Sequence, residues 1–349
     1  MKQDLKSKLK KLLPDIKENV LLSDYTTFRL GGPADFFYEA KTQKDFVKAI
    51  KTSRNFGIPF FVLGRGSNIL FDDKGFRGLV IRNLVCGARI SKKYKKVVGH
   101  FDTKINRAHF APADPQKYLQ FDDLDYEQEL FDTEVEVFAG TPLQFLIQWS
   151  LEKNLCGLQW FAGIPGSVGG AIAYNIHGGT KLFSDYIKEV QVLDKNNKLI
   201  TIKKEKGNFA YDKSRFQKED LIIVKAKILL SHGDILRARY VYKEWWQRKL
   251  KIQPQINCPG SIFKNFSPEV VKKVGSPTTS AGWFIEQAGL KGKKIGNVKV
   301  SEKHANFIVN LGKGKAKDVK KLIKLIKERV KNKFGLDLKE EILVLPEKI

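Results

Sequence analysis

The sequence predicts a globular protein of mixed helices and strands in two or three domains, and three observations carry that expectation. The chain has 349 residues, enough to build more than one core. Short apolar runs of strand character are interspersed with helical patterns along its length. A helical stretch within "YVYKEWWQRKLKIQPQINCPG" stops before a proline and reads as a domain boundary between 231 and 260. Hydrophobic residues make up 42% and charged residues 29% of the chain, which is a globular composition. No run approaches the roughly 18 apolar residues of a membrane span.

Taken in order, the elements are as follows. "MKQDLKSKLKKLLPDIKENV" is charged throughout, with Leu5, Leu9, Leu12, Leu13 and Ile16 at helical spacing, so an amphipathic helix is expected over residues 1–24. It lacks the apolar core of a signal peptide. "ADFFYEA" reads as a strand, "TQKDFVKAIKTSRNFG" as a helix closed by glycine, and "PFFVLG" as a strand. The next stretch, "GRGSNILFDDKGFRGLVIRN", reads as a turn and a second strand. Residues 88–133 switch from basic to acidic without sustained periodicity and read as a surface insertion. Regular structure resumes with the strand and helix of "EVEVFAGTPLQFLIQWSLEKNLCGLQWF", then glycine-dense "AGIPGSVGGAIAYNIHGG" and the strands "EVQVLD" and "IIVKAKILL". Residues 314–333 form a basic helix with Val319, Leu322, Ile323, Ile326 and Val330 on one face. The chain closes on the strand "EEILVL".

The net charge of +25 fits a lysine-rich solvated surface, anionic ligands or nucleic acid. The lysines are dispersed and little interleaved with aromatics, which disfavours nucleic acid. Cys86, Cys156 and Cys258 form no CxxC pair, so neither a disulfide framework nor a zinc site is expected, and a reduced, cytoplasmic setting fits.

Two glycine-rich segments are suited to anions. In "GRGSN", Gly64 and Gly66 let the backbone turn tightly, and Ser67 and Asn68 add donors. The segment lacks the GK[ST] of a P-loop and the third glycine of a dinucleotide fingerprint, and a plain hairpin fits it equally well. The second segment, Gly163-Ile164-Pro165-Gly166-Ser167-Val168-Gly169-Gly170, repeats the chemistry about a hundred residues later. Two such loops suggest one extended ligand with a pyrophosphate, gripped from both sides. Further on, "CPGSIFKNF" places Ser261 near Lys264 and Asn265. The segment fits a plain strand start; no GxSxG elbow surrounds Ser261, so if it is catalytic its chemistry is proton donation or hydrogen bonding rather than nucleophilic attack. In "FGLDLKEEILVL", Glu340 and Glu341 face opposite ways along a strand, so one of them can enter a pocket.

These residues together resemble the UDP-N-acetylenolpyruvoylglucosamine reductase family. The resemblance rests on "YTTFRLGGPADFF", "VLGRGSNILF", "GLQWFAGIPGSVGGAIAYN", "GSIFKN", "AGWFIEQAGLKGKKIGNVKVSEKHANFIVN" and "FGLDLKEEI", which follow the family's order from residue 25 to the C-terminus. It implies a two-lobed FAD-binding domain of the vanillyl-alcohol-oxidase-like type over 25–230, with lobes of about 25–85 and 86–230, and a C-terminal α+β substrate domain over 231–349. It implies non-covalent FAD, NADPH as co-substrate, and UDP-N-acetylglucosamine enolpyruvate as substrate, with no membrane, metal or obligate protein partner. FAD would be held by Gly64, Arg65, Gly66, Ser67, Asn68, Gly163, Ile164, Pro165, Gly166, Ser167, Gly169, Gly170 and Asn175. The substrate would meet Lys264, Asn265, Lys303, His304 and Asn306. The family's proton-donating serine falls on Ser261 and its glutamate on Glu341.

The sequence also departs from the family. "NIHGGT" replaces N-x-G-A-Y-G, so His177 either touches the flavin or fills the turn. "FKNF" replaces FKNP. "YDKSRF" puts Asp212 where the family has an arginine. If that segment forms a helical turn, Arg215 shares a face with Asp212 and takes the arginine's catalytic role. If it is extended, Arg215 faces away.

Overall fold

A computed structural model describes residues 2–95, 130–179 and 181–346 of the chain, with side chains from residue 6 onward. The first helix, α1 (Lys2–Leu12), is shorter than expected. Pro14 follows it and cannot continue a helix. Residues 17–21 instead form β1 (Lys17–Leu21), which pairs antiparallel with β2 (Pro33–Ala40). The expected helix over 1–24 is therefore half helix and half edge strand.

From β2 the chain enters α2 (Gln43–Asn55). Thr42 caps it by accepting the Asp45 N–H at 3.1 Å, and Gly57 ends it in the left-handed region with φ +61°. β3 (Phe60–Leu63), β4 (Ile69–Phe71) and β5 (Phe76–Asn83) follow. The first sheet has the order β1-β2-β5-β3 among the described residues, its last two pairings parallel. Both of its faces are covered. Leu9, Leu13, Phe46, Ile50, Leu79 and Ile81 form one apolar cluster, and Phe37, Leu63, Phe71 and Val80 another.

The second sheet runs β11-β10-β12-β7-β6 and is antiparallel throughout. Its strands are β6 (Ala88–Lys93), β7 (Thr133–Phe138), β10 (Ile187–Leu193), β11 (Leu199–Lys203) and β12 (Ile222–Leu230). β6 corrects the expected insertion at its N-terminal end: residues 88–93 belong to the sheet. They hid because an edge strand with one solvated face carries few apolar residues. The rest of that expected insertion, residues 96–129, lies outside the described residues. The inner face of the sheet packs on α3 (Leu143–Glu152) and α4 (Val168–Ala173), within a core holding Val135, Val137, Leu146, Ile172, Val190 and Ile228. Between α4 and β10 a short hairpin joins β8 (His177–Gly178) to β9 (Lys181–Leu182).

α5 (Ile235–Ile252) is the long helix before Pro254. Its buried Ala238 and Val241 belong to the core of the second lobe. By packing, then, α5 goes with that lobe. The C-terminal unit contains α6 (Pro268–Val274), α7 (Ala281–Gln287), the antiparallel sheet of β13 (Lys294–Ile295), β14 (Val298–Val300) and β15 (Ile308–Asn310), and α8 (Ala316–Phe334). All five apolar positions expected on α8 are buried. Several of its lysines pair with carboxylates, Lys320 with Asp72, Lys327 with Glu340 and Lys331 with Asp337. Finally β16 (Leu343–Leu345) returns to the first lobe and pairs parallel with β4. No helix among the described residues is long and apolar enough to cross a membrane.

Candidate active site

The two lobes and the C-terminal unit enclose a cleft of about 1740 Å³. Pockets for one drug-sized ligand measure roughly 300–1,000 Å³, so this cleft has room for two ligands. The glycine-rich loops face each other across one part of it. Ser67 Oγ donates to Pro165 O at 3.1 Å. A Cβ on Gly64 would lie 2.5 Å from Ser167 Oγ, so a larger residue there would make the Ser167 hydroxyl turn away from the first loop. Gly66 has φ +64°, and a Cβ there would sit 2.3 Å from Tyr25 O. Thr27 grips the same turn, its N–H donating to Gly66 O at 3.0 Å. Ser167 starts α4 and accepts the Gly170 N–H at 3.4 Å. Arg65, Ser67 and Asn68 add donors, while Leu143, Ile164, Phe60 and Val62 line apolar wall. This apposition of donor-rich turns beside an apolar trough fits FAD, the turns toward its pyrophosphate and the trough toward its rings.

Of the residues expected to hold FAD, all but Asn175 line the cleft. Asn175 is fully buried and occupied elsewhere, accepting the Ser184 N–H and donating to Ala210 O, each at 2.8 Å. It braces the loop after α4 instead.

The far end of the cleft is built by three chain segments. Glu341 N–H donates to Ile262 O at 2.8 Å, and Lys264 N–H to Lys339 O at 2.8 Å, so "GSIFKN" and "KEEI" lie side by side. Ser261 and Glu341 thereby enter the same cleft, while Glu340 turns outward to Lys327. Asn68 Nδ2 donates to Glu341 O at 3.2 Å and ties this end to the first glycine loop. Burial, and then the charge of Asp212, push the Glu341 carboxyl well above the usual range, with Lys264 opposing. Asn265 lines the cleft and its Oδ1 accepts the Ala281 N–H at 3.1 Å.

The other expected substrate residues divide. His304 lines the cleft, and its Nδ1 accepts the Asn306 N–H at 3.2 Å. Burial, reinforced by the charge of Lys291, lowers its pKa to about 4, so it meets a ligand as a neutral ring. Asn306 borders the cleft but spends its amide on Phe263, accepting from N at 2.9 Å and donating to O at 2.8 Å. Lys264 Nζ donates to Asp212 O at 3.2 Å and supports the 211–212 turn from behind the lining. Lys303 is exposed and reaches Leu250 O.

Arg215 is not brought to the cleft. Its guanidinium chelates Glu219 at 2.6 and 3.0 Å and donates to Lys206 O at 2.9 Å. The reason lies in the backbone. Asp212 is left-handed with φ +50°, Ser214 is extended, and only at Arg215 does a 3-10 turn begin. The helical turn that would set 212 and 215 on one face does not form.

Other side chains complete the site. Tyr211 lines the cleft, and burial followed by the charges of Asp212 and Glu341 raises its pKa, so it keeps its proton. His177 Nδ1 lies 3.2 Å from Asp212 Oδ1, and its ring stacks on Tyr211 at 4.7 Å. Trp245, Trp246, Arg248 and Lys249 arrive from α5. Lys249 Nζ donates to Ala162 O at 2.7 Å, and its enclosure lowers its pKa to about 7. The WW and RK pairs of α5 are visible in the sequence, but nothing local says that they face a cleft. Among the described residues no cluster of histidine, cysteine or acidic side chains is built to hold a metal.

Comparisons with known proteins agree with this geometry. Residues 253–345 match a family model described as UDP-N-acetylenolpyruvoylglucosamine reductase, C-terminal domain, and residues 119–203 match one described as FAD binding domain. The UDP-N-acetylenolpyruvoylglucosamine reductase of Chlamydia felis is 32% identical, covering 95% of each chain. That of Caldanaerobacter subterraneus is also 32% identical, over 100% of each chain. The crystal structure of the Thermus caldophilus reductase superposes with a TM-score of 0.68 at 29% identity, covering 94% of this chain and 98% of that one. With its paired glycine loops and its Ser261–Glu341 end, the chain belongs to the UDP-N-acetylenolpyruvoylglucosamine reductase family.

Proposed function

We propose that this protein reduces UDP-N-acetylglucosamine enolpyruvate to UDP-N-acetylmuramate with NADPH, holding FAD non-covalently, as a cytoplasmic step of peptidoglycan precursor synthesis. The observation that carries this reading is the convergence of Ser261 and Glu341 at one end of a cleft whose other part is walled by two apposed glycine loops. The chemistry FAD supplies when bound is hydride transfer, from NADPH to C3 of the enolpyruvyl group. Addition there leaves negative charge on C2 and the neighbouring carboxylate, which needs donors and one proton. Ser261 is the candidate proton donor to C2. Glu341, held protonated by its surroundings, is positioned to keep that end of the cleft supplied with a proton. Tyr211 and Asn265 offer neutral hydrogen bonds to ligand oxygens, and the tryptophans of α5 cover one wall against water.

The test is direct. The purified protein should be yellow, release FAD on acid precipitation, and oxidise NADPH in proportion to added UDP-N-acetylglucosamine enolpyruvate. NADPH oxidation that ignores this compound would overturn the assignment.

A further inference from the structure

On the reading of function given above, the reacting end of the cleft must receive a carboxylate, yet its walls carry two acids. Glu341 is one. The other is Asp212, 5% exposed, whose Oδ2 is buried without a hydrogen-bond partner. Leaving a buried carboxylate oxygen unmet is costly, so the group should have a use. Its backbone is pinned. Ala210 and Lys213 exchange N–H···O bonds of 2.9 and 3.1 Å, and Lys264 Nζ and Gln217 Nε2 both donate to Asp212 O at 3.2 Å. The left-handed φ of +50° is one that Asp and Asn tolerate better than most residues.

Several nearby cations are committed elsewhere. Arg215 is bound to Glu219, Lys264 to the Asp212 carbonyl, and Lys249 to Ala162 O. His304 is neutral near pH 7. His177 is placed differently. It sits on β8, lines the cleft, and holds Asp212 Oδ1 with Nδ1 at 3.2 Å. Its ring is stacked on Tyr211, and Nε2 lies 3.3 Å from the Tyr211 hydroxyl. That second contact is long. A ligand carboxylate can replace it with a charge-assisted bond, which is shorter and stronger.

We propose that His177 meets the carboxylate and developing enolate of the ligand through its Nε2 edge, and that Asp212 is its positioning residue, fixing the ring through Nδ1. The group that meets the ligand carboxylate thus comes from β8, and the residue that orients it from the 211–216 segment.

The experiment compares two nucleotides by titration calorimetry on the FAD-loaded protein: UDP-N-acetylmuramate, which carries the carboxylate, and UDP-N-acetylglucosamine, which lacks it. The parent should prefer the first. In His177→Gln the preference should shrink about ten- to a hundredfold, the worth of a charge-assisted hydrogen bond. Asp212→Asn, which keeps the tolerance for left-handed backbone, should shrink it in the same direction and add nothing further in the His177→Gln background. Placing an arginine at the same end instead, with Asp212→Arg in a His177→Gly chain, should restore both the preference and the rate of substrate-driven flavin reoxidation. Retained yellow absorbance verifies folding of each variant. An unchanged preference in His177→Gln overturns the proposal, as does equal weakening of both nucleotides, which marks a structural role. A parent that binds the nucleotides with the expected preference but does not turn over the enolpyruvate would sink the functional reading while leaving His177 to be judged by binding.

Discussion

The outward face of the second sheet and the far end of the cleft use the same residue types and reach opposite electrostatic states. On the sheet, each acid meets several partners. Glu136 accepts from Arg89 at 2.8 Å and Lys225 at 2.7 Å, and Glu134 is held by Lys188, Ser91 and Tyr94. Burial works against Glu134, but those hydrogen bonds outweigh it and lower its pKa to about 2. In the cleft, Glu341 and Asp212 face each other, and burial and mutual repulsion drive the Glu341 carboxyl upward. A cross-strand ladder of matched charges stabilises a surface. A buried carboxyl beside a second acid holds its proton, and such perturbed groups mark functional sites.

The largest effect that would sharpen this contrast is on chemistry. Ser261→Ala should slow flavin reoxidation by the enolpyruvyl substrate about 10²–10⁴-fold, with reduction by NADPH changed far less. Stopped-flow measurement of the two half-reactions checks it, and equal loss in both would assign Ser261 to folding. Next comes stability on the sheet side. Glu134→Ala should cost about 1–3 kcal/mol in urea unfolding at pH 7, because it strips a charged acceptor from several donors. The loss should vanish as pH falls towards 2, since a lowered folded pKa contributes stability above the unfolded value of about 4.5 and loses it on acidification. Turnover should be kept.

Glu341→Gln should do the reverse. A raised folded pKa means that the native state holds a proton which the unfolded chain releases above about pH 4.5, so ionisation costs stability as pH rises. The melting temperature of Glu341→Gln should exceed that of the parent at pH 7 to 8, and the two should converge below pH 4. A variant less stable than the parent at pH 8 would break the comparison. The smallest effect is expected at Arg215, which lies off the cleft. Arg215→Ala should leave both half-reactions within about twofold of the parent, as its half-buried side chain is bound to Glu219 away from the cleft. A large loss there would return the residue to the site.

Much of the fold is legible where the pattern is local. α2 shows its cap, its apolar face and its closing glycine within a short window, and α8 shows a stripe of period 3.6. β1 and β6 are not legible, because edge strands expose one face and their few apolar residues look like the ends of a charged loop or helix. The same divide runs through the site. Gly66 is readable, since its left-handed backbone and close approach to Tyr25 O restrict which residues fit, and Ser167 is readable as a helix cap. Asn175 lies off the cleft and Asn306 borders it while holding Phe263, since an asparagine in a matching motif serves a brace as readily as a ligand. The placing of Arg215 turned on one left-handed residue, Asp212, which no helical or extended template contains.

By itself the sequence offered two backbone turns suited to an anion, a consequence of residue type and short-range spacing, while its resemblance to the family implied the α+β class and a serine and a glutamate as candidate reacting groups. Only the tertiary structure decided which charges face the cleft. It turned Glu340 out and Glu341 in, sent Arg215 to Glu219, and set His177 against Asp212, 35 residues further along the chain. The physical reason is that side-chain electrostatics depend on distance and burial, and both are properties of how separate segments pack rather than of either segment alone.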